Sequence, residues 1–294
     1  MHVTVLGAGT MGHGIAQVAA QAGHEVTIRD VDDAVLEEGL AAIEANLEGG
    51  VERDKLTAAA AEATLARIET TTDLAVATAE ADLVVEAIPE DMALKRETFE
   101  TVEAAAPEDA ILATNTSSLS VTELASALDD PTRFVGLHFF NPAHIMALVE
   151  VVEAEQTSMR TLEAAVGFAE GVDKTPVVVE DSPGFATSRL GAALGVEAMR
   201  MVETGVASVE DVDTAMRLGY NHPMGPIELG DFVGLDVRQD ILEYLREELG
   251  ERFRPPQVLK RKVRAGHLGR KTGRGFYVWE DGEAVAVAGE DDDG

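Results

Sequence analysis

The 294 residues are 46% hydrophobic but only 4% aromatic, so a core must be built from Ala, Val, Leu, Ile and Met. Asp and Glu number 54 against 23 Lys and Arg, a formal net charge of −31, which argues against binding to nucleic acid or to an anionic membrane surface. The absence of cysteine excludes disulfides, zinc–thiolate sites and cysteine nucleophiles.

No apolar run reaches the roughly 18 residues that a membrane span requires. The chain enters a strand-like segment at His2–Leu6, with no basic stretch followed by a long apolar one. No export signal is read, and a cytoplasmic location is expected. Self-repulsion at this charge destabilises a fold in dilute salt, and the penalty shrinks as the Debye length falls to ~3 Å at 1 M. Such a composition is expected of an enzyme adapted to a salt-rich cytoplasm.

Strand-like and helix-like segments alternate through the first half, predicting an α/β fold with a doubly wound, mainly parallel, Rossmann-like sheet. His2–Leu6 reads as a buried strand, Gly12–Ala22 as a helix and Glu25–Arg29 as a second strand. An acidic, Ala-rich helix is expected over Ala34–Leu47, then a charged turn at Glu48–Lys55 and a helix over Thr57–Ala66. Leu83–Ile88, Ala110–Ala113, Phe134–Leu137 and Leu148–Val152 read as further strands, punctuated by Pro89, Pro107 and Pro142. A helix over Met159–Glu170 leads into a strand at Pro176–Val179. At Asp181-Ser182-Pro183-Gly184 the pattern changes, and helix-period segments take over at Thr187–Glu203, Val209–Leu218, Leu235–Leu249 and Pro256–Ala265. This predicts a first domain over 1–181 and a smaller all-α domain over 182–288, with a short extended segment at Gly273–Trp279. Residues 289–294 read as a disordered, solvating acidic tail.

Residues Gly7 to Gly12 read GAGTMG, the G-x-G-x-x-G pattern, placed between an apolar strand and an amphipathic helix. Gly7 allows the tight turn, Gly9 lets backbone approach a pyrophosphate, and Gly12 lets the helix pack on the sheet, with Thr10 and Met11 completing the loop. The phosphate charge then meets free N–H groups at a helix N-terminus. Asp30 follows the second strand, 18 residues past Gly12. A carboxylate there accepts bonds from ribose hydroxyls and repels a 2′-phosphate, which favours NAD over NADP. Strand alternation is expected to turn the Arg29 side chain to the opposite face. The Asp32–Asp33 pair and the Arg53-Asp54-Lys55 cluster read as solvated surface.

Two polar stretches interrupt regions that should be apolar: Asn115-Thr116-Ser117-Ser118, and His138-Phe139-Phe140-Asn141-Pro142 directly after the strand at Phe134–Leu137. Loops at the carboxyl ends of parallel strands line the ligand crevice, so Ser117, His138 and Asn141 are expected to face a nicotinamide. Glu150 lies among apolar neighbours and needs a charged or hydrogen-bonding partner. Removing a hydroxyl proton during hydride transfer needs a base, and a histidine oriented by a carboxylate is suited to it. His138 with Glu150 makes that pair, although an isolated histidine is more often structural. The remaining histidines show no ligand spacing, so no metal is proposed.

These segments together resemble the L-3-hydroxyacyl-CoA dehydrogenase family, particularly its 3-hydroxybutyryl-CoA members, over essentially the whole chain. The shared stretches are GAGTMG, Asp30, Asp82–Glu90, Asn115–Leu119, Gly136–Pro142, Leu148–Val151, Asp181–Phe185, His222–Ile227 and Lys271–Tyr277. The resemblance implies His138 as catalytic base, Glu150 as its partner, and Ser117 in contact with substrate and cofactor. It implies Glu90, Lys95, Asn141 and Lys271 near NAD, and Asn46 and Arg53 at CoA-contacting positions. It also implies an acyl-CoA substrate and a homodimer formed through the helical domain.

Two positions depart from the family pattern. Ser188 stands where the family usually has an Asn that holds the substrate's 3-oxygen, and Ala143–Ala147 reads AHIMA where many members have a lysine-ending PVPVMK run. The leading reading is reversible oxidation of a short-chain (S)-3-hydroxyacyl-CoA. A free 3-hydroxy acid or sugar acid is an alternative substrate, and a non-catalytic NAD-binding regulator an alternative of another class.

Overall fold

The computed structural model describes residues 1–289, so the acidic tail expected at 289–294 lies, beyond Gly289, outside the described residues. The first half begins β1 (His2–Leu6), α1 (Gly12–Gln21), β2 (Glu25–Arg29), α2 (Asp33–Glu52), α3 (Ala58–Leu65), β3 (Ile68–Thr71) and α4 (Leu74–Thr78). It continues through β4 (Leu83–Glu86), α5 (Met92–Ala105), β5 (Ile111–Thr114), α6 (Val121–Ala125), β6 (Phe134–Phe139), β7 (Leu148–Glu153), α7 (Met159–Gly171) and β8 (Thr175–Glu180). The eight strands form one sheet in the order β3-β2-β1-β4-β5-β6-β7-β8. β1 pairs in parallel with both β2 and β4, so the strand order reverses there and a crevice opens beyond their carboxyl ends.

Both faces of this sheet are covered. Val3 and Val5 pack with Ile15, Ala16, Ala19 and Phe168 on one side. Leu6, Val84 and Leu112 pack with Phe99, Val102 and Phe134 on the other, where the Phe99 and Phe134 rings meet edge to face at 4.7 Å. Cover on both faces of the central strands β1, β4, β5 and β6 explains why they read as continuous apolar runs rather than alternating ones.

Side-chain caps start most of the helices. Asp32 accepts from Ala34 N at α2, Thr57 from Ala60 N at α3, Asp91 from Leu94 N at α5, and Ser158 from Thr161 N at α7. Asp32 is therefore a cap and not merely solvated surface. α2 continues to Glu52 rather than stopping at Leu47, running through Gly49 and Gly50 although each costs about 1 kcal/mol in a helix relative to Ala.

At the far edge, β6 and β7 run antiparallel. The connection 140–147 is too short to hold the crossover that a parallel pair needs, so the chain must turn back. β6 also reaches Phe139, which places His138 inside the strand and not in the loop after it. β7 and β8 are again parallel, joined through α7.

The chain divides into two compact units after Phe185, whose ring is buried with the first unit's core. The second unit holds α8 (Thr187–Glu203), α9 (Val209–Tyr220), α10 (Pro226–Val233), α11 (Leu235–Leu249) and α12 (Gln257–Arg264). It is closed by a hairpin, β9 (Tyr277–Glu280) against β10 (Glu283–Val287), so the expected extended segment acquires a second strand. Two buried carboxylates organise this unit. Asp213 accepts from Ile227 N, Glu228 N and the Tyr277 hydroxyl, at 2.8, 2.9 and 2.8 Å, and so caps α10 from α9. Asp231 accepts from Phe276 N, Tyr277 N and Trp279 Nε1 at 2.9, 2.8 and 3.1 Å, which ties the hairpin to α10.

Candidate active site

The glycine loop has the geometry that a dinucleotide requires. Gly7 adopts φ +96, and a Cβ there would sit 2.6 Å from the Ala87 carbonyl oxygen. A Cβ on Gly12 would run into the Gly7 carbonyl, so α1 packs against its own loop only as glycine. By contrast, a Cβ on Gly9 would meet nothing within 4 Å, leaving the loop backbone open toward a ligand. A cavity of about 580 Å³ lies there, lined by Gly7, Gly9, Thr10, Met11, Asp30, Val31, Ala87 and Ile88 among others.

At its rim, Asp30 Oδ2 accepts from Ala8 N at 2.8 Å and Oδ1 from Val31 N at 2.7 Å. Those two bonds hold the carboxylate in place while each oxygen keeps a further lone pair for a ribose hydroxyl. Arg29 lines the same cavity, contrary to the alternation expected, because β2 ends at Arg29 and its pleat does not govern Asp30. Its Nε donates to the Thr72 carbonyl at 3.2 Å. These residues fit NAD: an open glycine cradle, a helix N-terminus behind it and an anchored carboxylate at the ribose end.

Met11, Ala87 and Ile88 also line a second cavity of about 320 Å³, so the two are neighbours. Ser117, His138, Asn141, Glu90 and Lys95 all face it. The candidate acid–base pair is built by strand register, since His138 on β6 stands directly opposite Glu150 on β7. His138 Nδ1 lies 2.9 Å from Glu150 Oε2, with Glu150 fully buried and His138 7% exposed. A carboxylate only accepts, so Nδ1 carries the hydrogen, which leaves the Nε2 lone pair as base. The rings of Phe140 and Phe185 flank the imidazole at 4.5 and 5.8 Å, fixing its plane and keeping water from two of its sides.

A second polar network stands behind the Ser117 loop. Glu90 Oε1 gathers the Thr116 hydroxyl at 2.5 Å, Ser117 N at 3.0 Å, Ser118 N at 3.2 Å and the Ser118 hydroxyl at 3.1 Å. Its other oxygen lies 3.3 Å from Lys95 Nζ, which also pairs with the fully buried Glu86 at 2.5 Å. Thr114 donates to the second Glu86 oxygen at 2.7 Å, and Ile88 N to the first at 2.7 Å. Asn115 Oδ1 accepts from Phe139 N at 2.8 Å and so pins the end of β6 to the end of β5. Glu86 was not singled out from sequence, and Asn115 only as part of the polar stretch Asn115–Ser118. The signal for Glu86 was the one used for Glu150, a carboxylate within an apolar strand run.

Burial raises the Glu86 carboxyl despite Lys95 and its hydrogen bonds. Glu90 goes the other way. Burial by itself pushes it up, but the Lys95 charge and the bonds from Thr116 and Ser117 outweigh this and hold it below the usual carboxylate range. A carboxyl with a depressed folded pKa contributes stability above its unfolded pKa, near ~4.3, and loses that contribution as pH falls through the folded value. Urea midpoints followed from about pH 6 to about pH 3 are therefore expected to fall more steeply for wild type than for Glu90→Gln. Parallel slopes would contradict the network.

Other expected residues lie elsewhere. Asn46 donates to Gln17 Oε1 at 3.0 Å, and the Arg53 guanidinium folds back over Gly49; neither lines the two cavities. Ser188 and Lys271 belong to the second unit. Ser188 is half-buried in the first turn of α8, and Lys271 pairs with Asp236 at 2.6 Å.

Residues 2–182 match the family model described as 3-hydroxyacyl-CoA dehydrogenase, NAD binding domain, and residues 184–279 match that described as 3-hydroxyacyl-CoA dehydrogenase, C-terminal domain. A probable 3-hydroxybutyryl-CoA dehydrogenase of Deinococcus radiodurans is 45% identical over 95% of this chain and 100% of its own. The mitochondrial hydroxyacyl-coenzyme A dehydrogenase of Sus scrofa is 44% identical over 95% of this chain and 91% of its own. Among solved structures, the (S)-3-hydroxybutyryl-CoA dehydrogenase of Ralstonia eutropha superposes with a TM-score of 0.92 at 40% identity, covering 95% of this chain and 99% of its own.

Proposed function

This chain belongs to the 3-hydroxyacyl-CoA dehydrogenase family, and on that premise we propose that it oxidises short-chain (S)-3-hydroxyacyl-CoA thioesters reversibly to 3-oxoacyl-CoA. The observation that carries this is the buried His138–Glu150 pair, whose cavity adjoins the nucleotide cavity. When bound, NAD supplies the hydride acceptor. His138 Nε2 takes the hydroxyl proton during oxidation and returns it during reduction, and Glu150 stabilises the imidazolium formed in between. Ser117, held by Glu90 through its backbone, contacts the substrate oxygen and the cofactor. Asn141, Glu90 and Lys95 border the nicotinamide. The family resemblance assigns Lys271 to the cofactor and Ser188 to the substrate.

The helical unit carries the exposed apolar side chains Leu190, Leu218 and Tyr220, at 71, 83 and 76%, which supports its use as a homodimer contact. The net charge of −31 supports work in a salt-rich cytoplasm. No described helix is long and apolar enough to cross a membrane.

The test is NADH consumption at high salt with acetoacetyl-CoA beside free acetoacetate. A kcat/KM at least about a hundredfold higher for the thioester, some 2.7 kcal/mol in transition-state binding, is expected. Equal rates would favour a free 3-oxo acid, and NADH binding without oxidation would favour a non-catalytic regulator.

A further inference from the structure

Lys95 is 1% exposed and lines the His138 cavity, yet protein acceptors already surround its ammonium group. Glu86 Oε1 lies at 2.5 Å, the Ile88 carbonyl at 3.3 Å and Glu90 Oε2 at 3.3 Å, one for each of its three hydrogens. Lys95 therefore acts on anything in that cavity by charge and not by a donated bond. The charged side chains lining the cavity are Glu90 and Lys95, with His138 the other titratable group.

Glu86 stands behind Lys95, fully buried at the end of β4. Each neighbour turns a donor toward it: Lys95 Nζ and Ile88 N toward one oxygen, the Thr114 hydroxyl toward the other. Thr114 Oγ1 also accepts from Thr116 N at 3.3 Å, which leaves its own hydrogen for Glu86. Burial raises the proton affinity of this carboxyl, but a proton on either oxygen would displace one of those donors. The Thr116 hydroxyl bonds in turn to Glu90. β4, β5 and α5 are thus closed into one ring of polar contacts through Glu86, Thr114, Thr116, Glu90 and Lys95. Two carboxylates against one ammonium leave this ring one negative charge in excess.

We propose that this excess charge makes the site prefer the oxidised nicotinamide to the reduced one, with Glu86 as a positioning residue that acts through Lys95. The proposal rests on the reading that places the nicotinamide beside His138. The oxidised ring carries a positive charge and the reduced ring none, so a fixed negative charge nearby attracts the first and is indifferent to the second. Without the Glu86 charge, Lys95 and Glu90 cancel and the preference disappears. During substrate oxidation the ring loses its positive charge while His138 gains one, and Glu150 stands at that second position. The two acidic groups therefore face the two ends of the charge transfer, and Glu86 sets how strongly the first end holds it.

The test is calorimetric titration of NAD+ and of NADH into wild type, Glu86→Gln and Glu90→Gln. It is run at about pH 8, where carboxylates are ionised, and at about 1 M salt. At that ionic strength the exposed acids of a chain of net charge −31 are screened, while the buried triad is not. Each substitution is expected to weaken NAD+ about tenfold and to leave NADH within about twofold, the order that one unit charge carries across a partly screened interior. Glu86→Gln places an amide at a fully buried site, so Glu90→Gln, at the partly exposed end of the triad, decides the matter if the first variant does not fold. Equal weakening of the two forms would make the triad a structural brace, and unchanged affinity for both would make its charge irrelevant to the ring. Either result overturns the proposal. The titrations contain no acyl substrate, so they stand or fall separately from the choice between thioester and free acid.

Discussion

Replacing His138 by Gln is expected to lower kcat about a thousandfold in both directions, while NADH binding by fluorescence titration stays within about twofold. Gln keeps polar bulk beside Glu150 but has no group that takes up a proton. The chemistry therefore loses its base, and the nucleotide cavity, whose lining excludes His138, keeps its shape. Glu150→Gln is expected to cost less, about a hundredfold, because an amide still occupies the site but no longer stabilises an imidazolium. Turnover near the native rate in His138→Gln would remove His138 from the mechanism. A loss of NADH binding as large as the loss of kcat would make the residue structural.

The second large effect is on stability. Asp231→Ala is expected to destabilise the second unit by about 3–5 kcal/mol, read as the urea midpoint followed by the fluorescence of Trp279, the one tryptophan in the chain. The substitution leaves Phe276 N, Tyr277 N and Trp279 Nε1 buried without an acceptor. No neighbouring residue has room to replace it. A Cβ at Gly269 or Gly275 would run into Asp231 itself, so the backbone there is packed to contact. Asn is not expected to rescue, because its amide turns a donor toward donors. A shift within about 0.5 kcal/mol would show that the hairpin does not depend on this carboxylate.

Much of the first unit was legible from residue patterns. Continuous apolar runs betray strands covered on both faces, and GAGTMG between such a run and a helix specifies a dinucleotide loop. The missed elements each have a physical reason. β3 and α4 span only 4 and 5 residues, too short for a period to register. α5 buries only Lys95, Phe99 and Val102, so its apolar stripe includes a lysine and reads as polar. α10 opens at Gly225-Pro226 with its cap supplied by Asp213 from another helix, and no local pattern carries that information.

The site divides along the same line. Ser117, His138 and Asn141 were legible as polar residues in apolar or loop-forming surroundings, Glu90 and Lys95 only through the family resemblance, and all five share one cavity. That Glu86 shares Lys95 with Glu90, and that Glu90 rather than solvent holds the Ser117 loop, depends on contacts across β4, α5 and β5. By itself, the sequence determined the α/β class, the nucleotide loop with Asp30 after the second strand, and the residue types available for proton transfer. Tertiary structure alone decided the register in which β7 runs back beside β6, because register between two strands is set by how the whole sheet packs. That reversal puts Glu150 against His138.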